Sequence, residues 1–174
     1  MSENVLAYPP ADAGATNVRP RAFDTILYGG LAVGALDALD ALDALTFFGL
    51  IRGGSPLRIF QSIASGLVGP AAFNGGLKTA LLGLPLHFLI AFIIATVYYL
   101  ASLRLPVLIR RAVVCGLLYG VAVYFVMSRI VVPLSAAPTF KTSFAGLLNG
   151  VIGHALLVGL PVALIARRSA KRVA

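Results

Sequence analysis

Long apolar runs alternate with short polar segments along this chain. Four of the runs hold about 20 residues or more, the length that a helix needs to cross ~30 Å of hydrocarbon. Because an isolated strand would leave its backbone polar groups unpaired in lipid, each run is predicted to be helical. The predicted spans cover residues 26–51, 79–103, 112–132 and 144–166.

The polar segments divide the rest of the chain. Residues 1–24 mix Pro, Ala, Asn and charged residues without an apolar period, which predicts a disordered cytoplasmic tail. Asp24 and Thr25 resemble an N-cap for the first span. Residues 25–168 are predicted to form the transmembrane domain, and residues 169–174 a basic cytoplasmic tail.

The first loop holds a helical pattern of its own. Ser55 is typical of a cap and Pro56 of a first helical position. Apolar residues then recur at helical spacing, and polar residues occupy the other positions. The apolar set is Leu57, Phe60, Ile63, Ala64 and Leu67, and the polar set is Arg58, Gln61, Ser62 and Ser65. This pattern predicts a short amphipathic helix that either lies on the outer surface or enters the membrane as a re-entrant element.

Composition limits the class of protein. Of the 174 residues, 59% are hydrophobic and 11% are charged, against about 25% charged in a soluble domain. Such a chain cannot coat a water-soluble globule with polar groups. Cys115 is the only cysteine and lies in an apolar run, which excludes a disulfide scaffold. The predicted fold is an all-α polytopic membrane protein of four transmembrane helices, with the short helix between the first and the second.

The distribution of cations predicts the orientation. The chain has 14 Lys and Arg residues and 6 Asp and Glu residues. Most of the cations lie in the two terminal segments and the middle loop, and the positive-inside rule then places both termini in the cytoplasm. These cations are Arg19, Arg21, Arg104, Arg110, Arg111, Arg167, Arg168, Lys171 and Arg172. Loop cations of this kind do not indicate binding to nucleic acid.

Three aspartates interrupt the first span. Asp37, Asp40 and Asp43 repeat every third residue, which spreads them over about 120° of the helix at a rise of about 4.5 Å per step. Their insertion costs about 8–10 kcal/mol, against about 4–7 kcal/mol returned by the apolar residues of the run. The carboxyls are therefore expected to face helices or water. They form either a tolerated helix–helix seam or a proton or cation path.

Both histidines share the depth of these acids. Counted from the outer ends of their spans, Asp43 and His87 lie about 12 Å deep, and Asp40 and His154 about 15–16 Å deep. Pairing of aspartate with histidine would offset much of the cost of burial. Tyr98 lies on the face of His87 and could extend a hydrogen-bonded line inward.

Glycines at a spacing of four predict close helix packing. The pairs are Gly30 and Gly34, Gly116 and Gly120, and Gly146 and Gly150.

The chain resembles bacterial inner-membrane proteins with four predicted helices, distantly the YagU-like family, in the segments SPLRIFQSIASGLVG, LPLHFLIAFIIATVYYLAS and YGVAVYFVMSRIVVPLSA. The resemblance runs from Tyr28 to Ile165. It implies histidines in the second and fourth helices, matching His87 and His154, and a place in the bacterial inner membrane. The triple aspartate run departs from the family pattern, and the family offers no catalytic residues to carry over.

Three functions are compatible with these features. The first is a small permease or a bundle that conducts protons or cations through the Asp and His residues, with a homodimer expected because four helices are few. The second is a structural or accessory subunit of a larger membrane complex. The third is a haem or metal site held by His87 and His154. No cofactor is required by the sequence, and the motifs of phosphate loops, catalytic triads and CxxC sites are missing, so an enzyme is not expected.

Overall fold

The computed structural model of the chain describes residues 19–39, 57–139 and 142–171. Every regular element in these ranges is helical, and no strand occurs in them. The main helices are α1 (residues 22–39), α2 (Leu57–Val68), α3 (Gly76–Arg104), α4 (Ala112–Leu134) and α5 (Phe144–Ala170). A 3₁₀ turn, Gly69–Asn74, joins α2 to α3, and one helical turn, Val107–Arg110, lies between α3 and α4.

Helices α3, α4 and α5 are each long and apolar enough to cross a membrane. They contain 29, 23 and 27 residues, and many of their large apolar side chains are exposed, as lipid-facing side chains would be. Leu89, Val97 and Leu118 are examples, each at least half exposed. The second, third and fourth predicted spans are therefore confirmed as helices of membrane-crossing length.

The first predicted span is described only in part. Residues 26–39 are helical, whereas Asp40, Asp43 and the rest of that span lie outside the described residues. The predicted N-cap is wrong, because the helix already begins at residue 22 and Asp24 lies inside a π turn, Asp24–Tyr28. The hydroxyl of Ser169 on α5 takes the place of a local cap. It accepts a hydrogen bond from the Arg21 amide at 3.2 Å.

Glycines let α4 and α5 pack with their backbones in contact. A Cβ on Gly116 would lie 2.7 Å from the Cβ of Ala163, and one on Gly120 would collide with the backbone of His154. Gly159 on α5 meets the backbone of Gly116 and Gly120 in return. Residue numbers rise along one helix as they fall along the other, so the two helices are antiparallel.

Glycines also allow α1 to pack closely against α3. A Cβ on Gly34 would lie 2.6 Å from the Phe88 ring, and one on Gly30 would collide with the ring of Phe92. The order of these contacts makes α1 antiparallel to α3.

One predicted packing glycine has no such role. Gly146 is exposed, and a Cβ there would meet only Thr142 and Ser143, at 3.2 and 3.4 Å, among the described residues. Both belong to its own turn. Its partner in the motif, Gly150, does pack closely, since a Cβ there would collide with the Tyr124 ring of α4.

Helices α2 and α3 form a hairpin. Gly69 and Gly76, at the ends of the connecting turn, have φ values of +71° and +56°, which L side chains adopt at a cost. The backbone of Phe60 rests directly on Gly83, where a Cβ would collide with the Phe60 carbonyl. Helix α2 therefore runs antiparallel to the first half of α3, and the end of α2 lies near the first residue of α3.

The helix predicted in the first loop is present as α2, but its faces differ from the prediction. Gln61 and Ser65 are buried, at 4% and 1% exposure, whereas Leu67 is 64% exposed. Gln61 is satisfied there, because its Nε2 donates to the Gly76 carbonyl at 3.0 Å. Arg58 and Ser62 of the polar set are exposed and Ala64 of the apolar set is buried, so the faces of α2 follow the predicted pattern in part.

The bundle has two ends. We call the end with Arg21, the 105–111 loop and Ser169 the terminal end. The opposite end, with the turns at 69–75 and 135–139, is the hairpin end. A hydrogen bond from the Ala136 amide to the Gly66 carbonyl, 3.0 Å long, joins the 135–139 turn to the end of α2.

Candidate functional site

A small cavity lies at the centre of the bundle, with a volume of about 140 Å³. Asp37 from α1, His87 from α3 and His154 from α5 all line it. The structure thus brings both histidines and one aspartate of the predicted site to one space. Apolar side chains complete the wall, namely Val33, Ile63, Ile90, Ala91, Ile94, Met127 and Val158.

His87 is held by a backbone carbonyl. Its Nε2 lies 2.8 Å from the Gly34 carbonyl oxygen of α1. A carbonyl only accepts hydrogen bonds, so Nε2 carries a proton, and Nδ1 is the nitrogen that can exchange one without breaking this bond. The rings of Phe60 and Phe88 stand edge-on to the imidazole, with centroids 6.4 and 5.7 Å away. The ring is therefore fixed in position and in tautomer.

His154 is held in the opposite way. Its Nδ1 donates to the Gly150 carbonyl of its own helix at 2.9 Å, at the start of the π turn His154–Gly159. Nε2 is then the exchangeable nitrogen. The Tyr124 ring packs edge-on against this imidazole at 5.4 Å. Close approach of α4 at Gly120 fixes the backbone of the same residue.

Asp37 reaches the cavity one helical turn beyond Gly34, and its side chain is half-buried. Within the described residues the only ion pair joins Arg21 to Asp24, at 3.9 Å. The expected pairing of aspartate with histidine is therefore absent from the described part of the chain. Asp40 and Asp43, for which that pairing was predicted, lie outside it.

Tyr98 lies away from this cavity. It is fully buried at the terminal end, where its hydroxyl donates to the Leu108 carbonyl at 2.9 Å and its ring packs on Tyr119 at 5.0 Å. The Tyr119 hydroxyl in turn donates to the Ile94 carbonyl at 2.7 Å. The structure does not bring Tyr98 to the histidines, and its contacts fasten the 105–111 loop to α3.

Apolar packing separates the central cavity from the terminal end. Val33, Ala95, Val158 and Val162 are at most 2% exposed and belong to one core cluster. Beyond them lies the buried hydrogen bond between the hydroxyls of Thr25 and Ser169, at 3.1 Å. The cavity is closed on this side.

The residues around the cavity fit a metal or haem poorly. No group of three His, Cys, Asp or Glu side chains that could hold a metal ion occurs in the described ranges. A volume of about 140 Å³ is also well below the roughly 300–1,000 Å³ of pockets that hold larger ligands. Water fits better, since this volume matches about four to five molecules at ~30 Å³ each.

Some contributors were missing from the sequence prediction. Tyr124, Met127 and Ile63 reach the site from α4 and α2, and nothing in their spacing along the chain relates them to the histidines. Their role is visible only once α2 and α4 are packed against α3 and α5.

The chain matched no protein-family model, no curated protein and no solved structure in the three comparisons made.

Proposed function

We propose that this protein is a small membrane permease that transfers protons through its central cavity. The observation that carries the proposal is the convergence of Asp37, His87 and His154 on one space of about 140 Å³ whose other lining residues are apolar. Ionisable side chains within a membrane are costly to insert, and they commonly mark proton and ion pathways.

The histidine geometry supports a proton rather than a bulky solute. Each imidazole keeps one nitrogen on a backbone carbonyl, which leaves Nδ1 of His87 and Nε2 of His154 for exchange. Within each ring, one nitrogen both accepts and releases the proton. Water must therefore carry the proton between the two rings and Asp37. About four waters in the cavity suffice for such a relay.

The topology proposed for this function has four spans. The described part of α1 has residues 22–39 and is about 27 Å long, antiparallel to α3. We propose that the segment beginning with α1 crosses the membrane in addition to α3, α4 and α5. We also propose that α2 lies within the membrane beside α3. The outward position of Leu67 and the burial of Gln61 support a lipid environment for α2.

The proposed location is the bacterial inner membrane, with both termini in the cytoplasm. The distribution of cations along the chain supports this orientation, because most of them fall at the terminal end. The distant YagU-like resemblance supports the type of membrane. A homodimer is the proposed assembly.

Proton flux in proteoliposomes tests the proposal. The protein is reconstituted with a pH-sensitive dye inside the vesicles, and a potassium diffusion potential drives proton entry. We expect the wild type to acidify the lumen and Asp37→Asn to reduce the rate at least tenfold. Asp24→Asn is the matched control, because Asp24 lies at the terminal end, 13 residues from Asp37 and about 20 Å along α1. No flux from the wild type, or equal effects of the two variants, would refute the proposal.

A second candidate is an accessory subunit of a membrane complex. A purely apolar groove of about 280 Å³ between α3 and α4 favours it, with Ile93, Val97 and Val126 about half exposed on its wall. A partner helix could fill such a groove. Purification in mild detergent decides: a stoichiometric partner supports this candidate, and a uniform homo-oligomer supports the permease.

A further inference from the structure

A second cavity lies at the hairpin end, between α4 and the start of α5. Its volume is about 500 Å³, larger than that of the central cavity. Its wall is rich in hydroxyls and includes one cation, Arg129. The polar lining residues are Tyr124, Ser128, Arg129, Thr142 and Ser143.

Tyr124 belongs to both spaces. Its ring lines the cavity of the hairpin end and also packs edge-on against His154, which lines the central cavity. The same ring covers Gly150, whose carbonyl holds the His154 imidazole at 2.9 Å. Tyr124 thus lies between the cavity of the hairpin end and His154, and it carries a hydroxyl.

Arg129 gives the cavity of the hairpin end a positive field. No carboxylate of the described residues lines that space. Arg129 is exposed, and a cation that lines the entry to a path repels metal cations, as the charged rings of channels do. Protons differ from metal ions in this respect, because they move by exchange along hydroxyls and water.

We propose that the cavity of the hairpin end is the mouth of the proton path, that Tyr124 passes protons from it to His154, and that Arg129 excludes metal cations. This inference rests on the proposed function and specifies its substrate as protons rather than sodium or potassium ions. The closed packing around Val33 and Val162 on the other side supports an approach from the hairpin end.

Chemical modification of a cysteine in the cavity of the hairpin end tests whether this cavity is the mouth of the proton path. In a Cys115→Ser background, Thr142→Cys is modified by a membrane-impermeant thiol reagent in proteoliposomes, and proton flux is measured before and after. Asn74→Cys is the matched control, since Asn74 is also exposed at the hairpin end and does not line the cavity. We expect modification at position 142 to reduce flux at least fivefold and modification at position 74 to leave it unchanged.

Two further variants test the roles of Tyr124 and Arg129. Tyr124→Phe keeps the ring against Gly150 and removes only the hydroxyl, and we expect flux to fall at least threefold with an unchanged melting temperature. Arg129→Glu is expected to admit rubidium ions at least ten times faster than the wild type, and Arg129→Gln to give an intermediate rate.

The outcomes separate this inference from the proposed function. Flux that depends on Asp37 but survives modification of Thr142→Cys overturns the mouth and leaves the permease standing. Rubidium uptake by the wild type overturns the proposal that Arg129 excludes metal cations. Absence of any proton flux in the wild type removes the permease, and the mouth with it.

Discussion

His87 and His154 owe their chemistry to two backbone carbonyls. The Gly34 carbonyl holds Nε2 of His87, and the Gly150 carbonyl holds Nδ1 of His154. Opposite nitrogens are therefore held in the two rings, and opposite nitrogens are left for exchange. At this scale the site consists of two fixed imidazoles and one carboxyl, Asp37, with water as the mobile component.

This geometry allows substitutions that keep the hydrogen bond to the backbone carbonyl and remove the ring nitrogen that exchanges protons. The amide nitrogen of His87→Gln can take the place of Nε2, and that of His154→Asn the place of Nδ1. We expect both variants to fold with melting temperatures close to that of the wild type and to lose proton flux at least tenfold. His87→Ala also loses the hydrogen bond to Gly34 and should be about 1–3 kcal/mol less stable. Full flux from the Gln and Asn variants would contradict the relay.

At the scale of helices, glycines determine how closely the bundle packs. Gly116, Gly120 and Gly159 bring the backbones of α4 and α5 into contact, and this contact positions His154 against Tyr124. Gly83 does the same for α2 and α3, and so places Phe60 beside His87. The packing of the helices and the geometry of the site therefore depend on the same residues.

Gly120→Ala tests this dependence. Its Cβ would collide with the backbone of His154, so the helices must separate, and overpacking of this kind costs about 1–3 kcal/mol. Gly146→Ala is the matched control, since it meets only its own turn, at 3.2 Å or more. Thermal unfolding in detergent, followed by circular dichroism, should show a clear drop for Gly120→Ala and little change or a small gain for Gly146→Ala. Equal stability of the two variants would show that α4 and α5 can separate freely.

At the scale of the whole molecule, the two ends differ in charge and in structure. The terminal end carries most of the described arginines and is closed by buried apolar residues. At the hairpin end the 135–139 turn is bonded to the end of α2 through Ala136 and Gly66, and this end holds the larger, hydroxyl-lined cavity. The asymmetry suits a path that opens toward one side of the membrane at a time.

Labelling in intact cells tests the orientation. Single cysteines are placed at Asn74 and at Leu105 in a Cys115→Ser background, because both positions are exposed and lie at opposite ends. We expect an impermeant maleimide to label Asn74→Cys in intact cells and Leu105→Cys only after permeabilisation. The reverse pattern would invert the topology, and the Cys115→Ser parent should stay unlabelled.

Sequence prediction succeeded for helices whose signal lies within one continuous segment of the chain. Apolar length alone predicted α3, α4 and α5, and the spacing after Pro56 predicted α2. It failed for the faces of α2, where Gln61 is buried and Leu67 is exposed. Spacing along the chain assigns residues to faces of a helix, but the packing of α2 on α3 decides which of those residues are covered.

The structure brings together some residues of the predicted site and not others. Depth along each helix predicts that His87 and His154 lie near one level, and both line the central cavity. The same argument placed Tyr98 on the line of His87, yet its hydroxyl bonds Leu108 in a loop. A rise per residue gives height but not the rotation of one helix against another.

The amino-acid sequence by itself determined that this chain is helical and apolar enough to cross a membrane, because the need to satisfy backbone hydrogen bonds in lipid acts locally on each segment. Only the tertiary structure decided which side chains meet. Asp37, His87 and His154 line one cavity, and Tyr124 packs on His154, because of how four helices rotate and approach. That is set by close packing at glycines far apart in the chain.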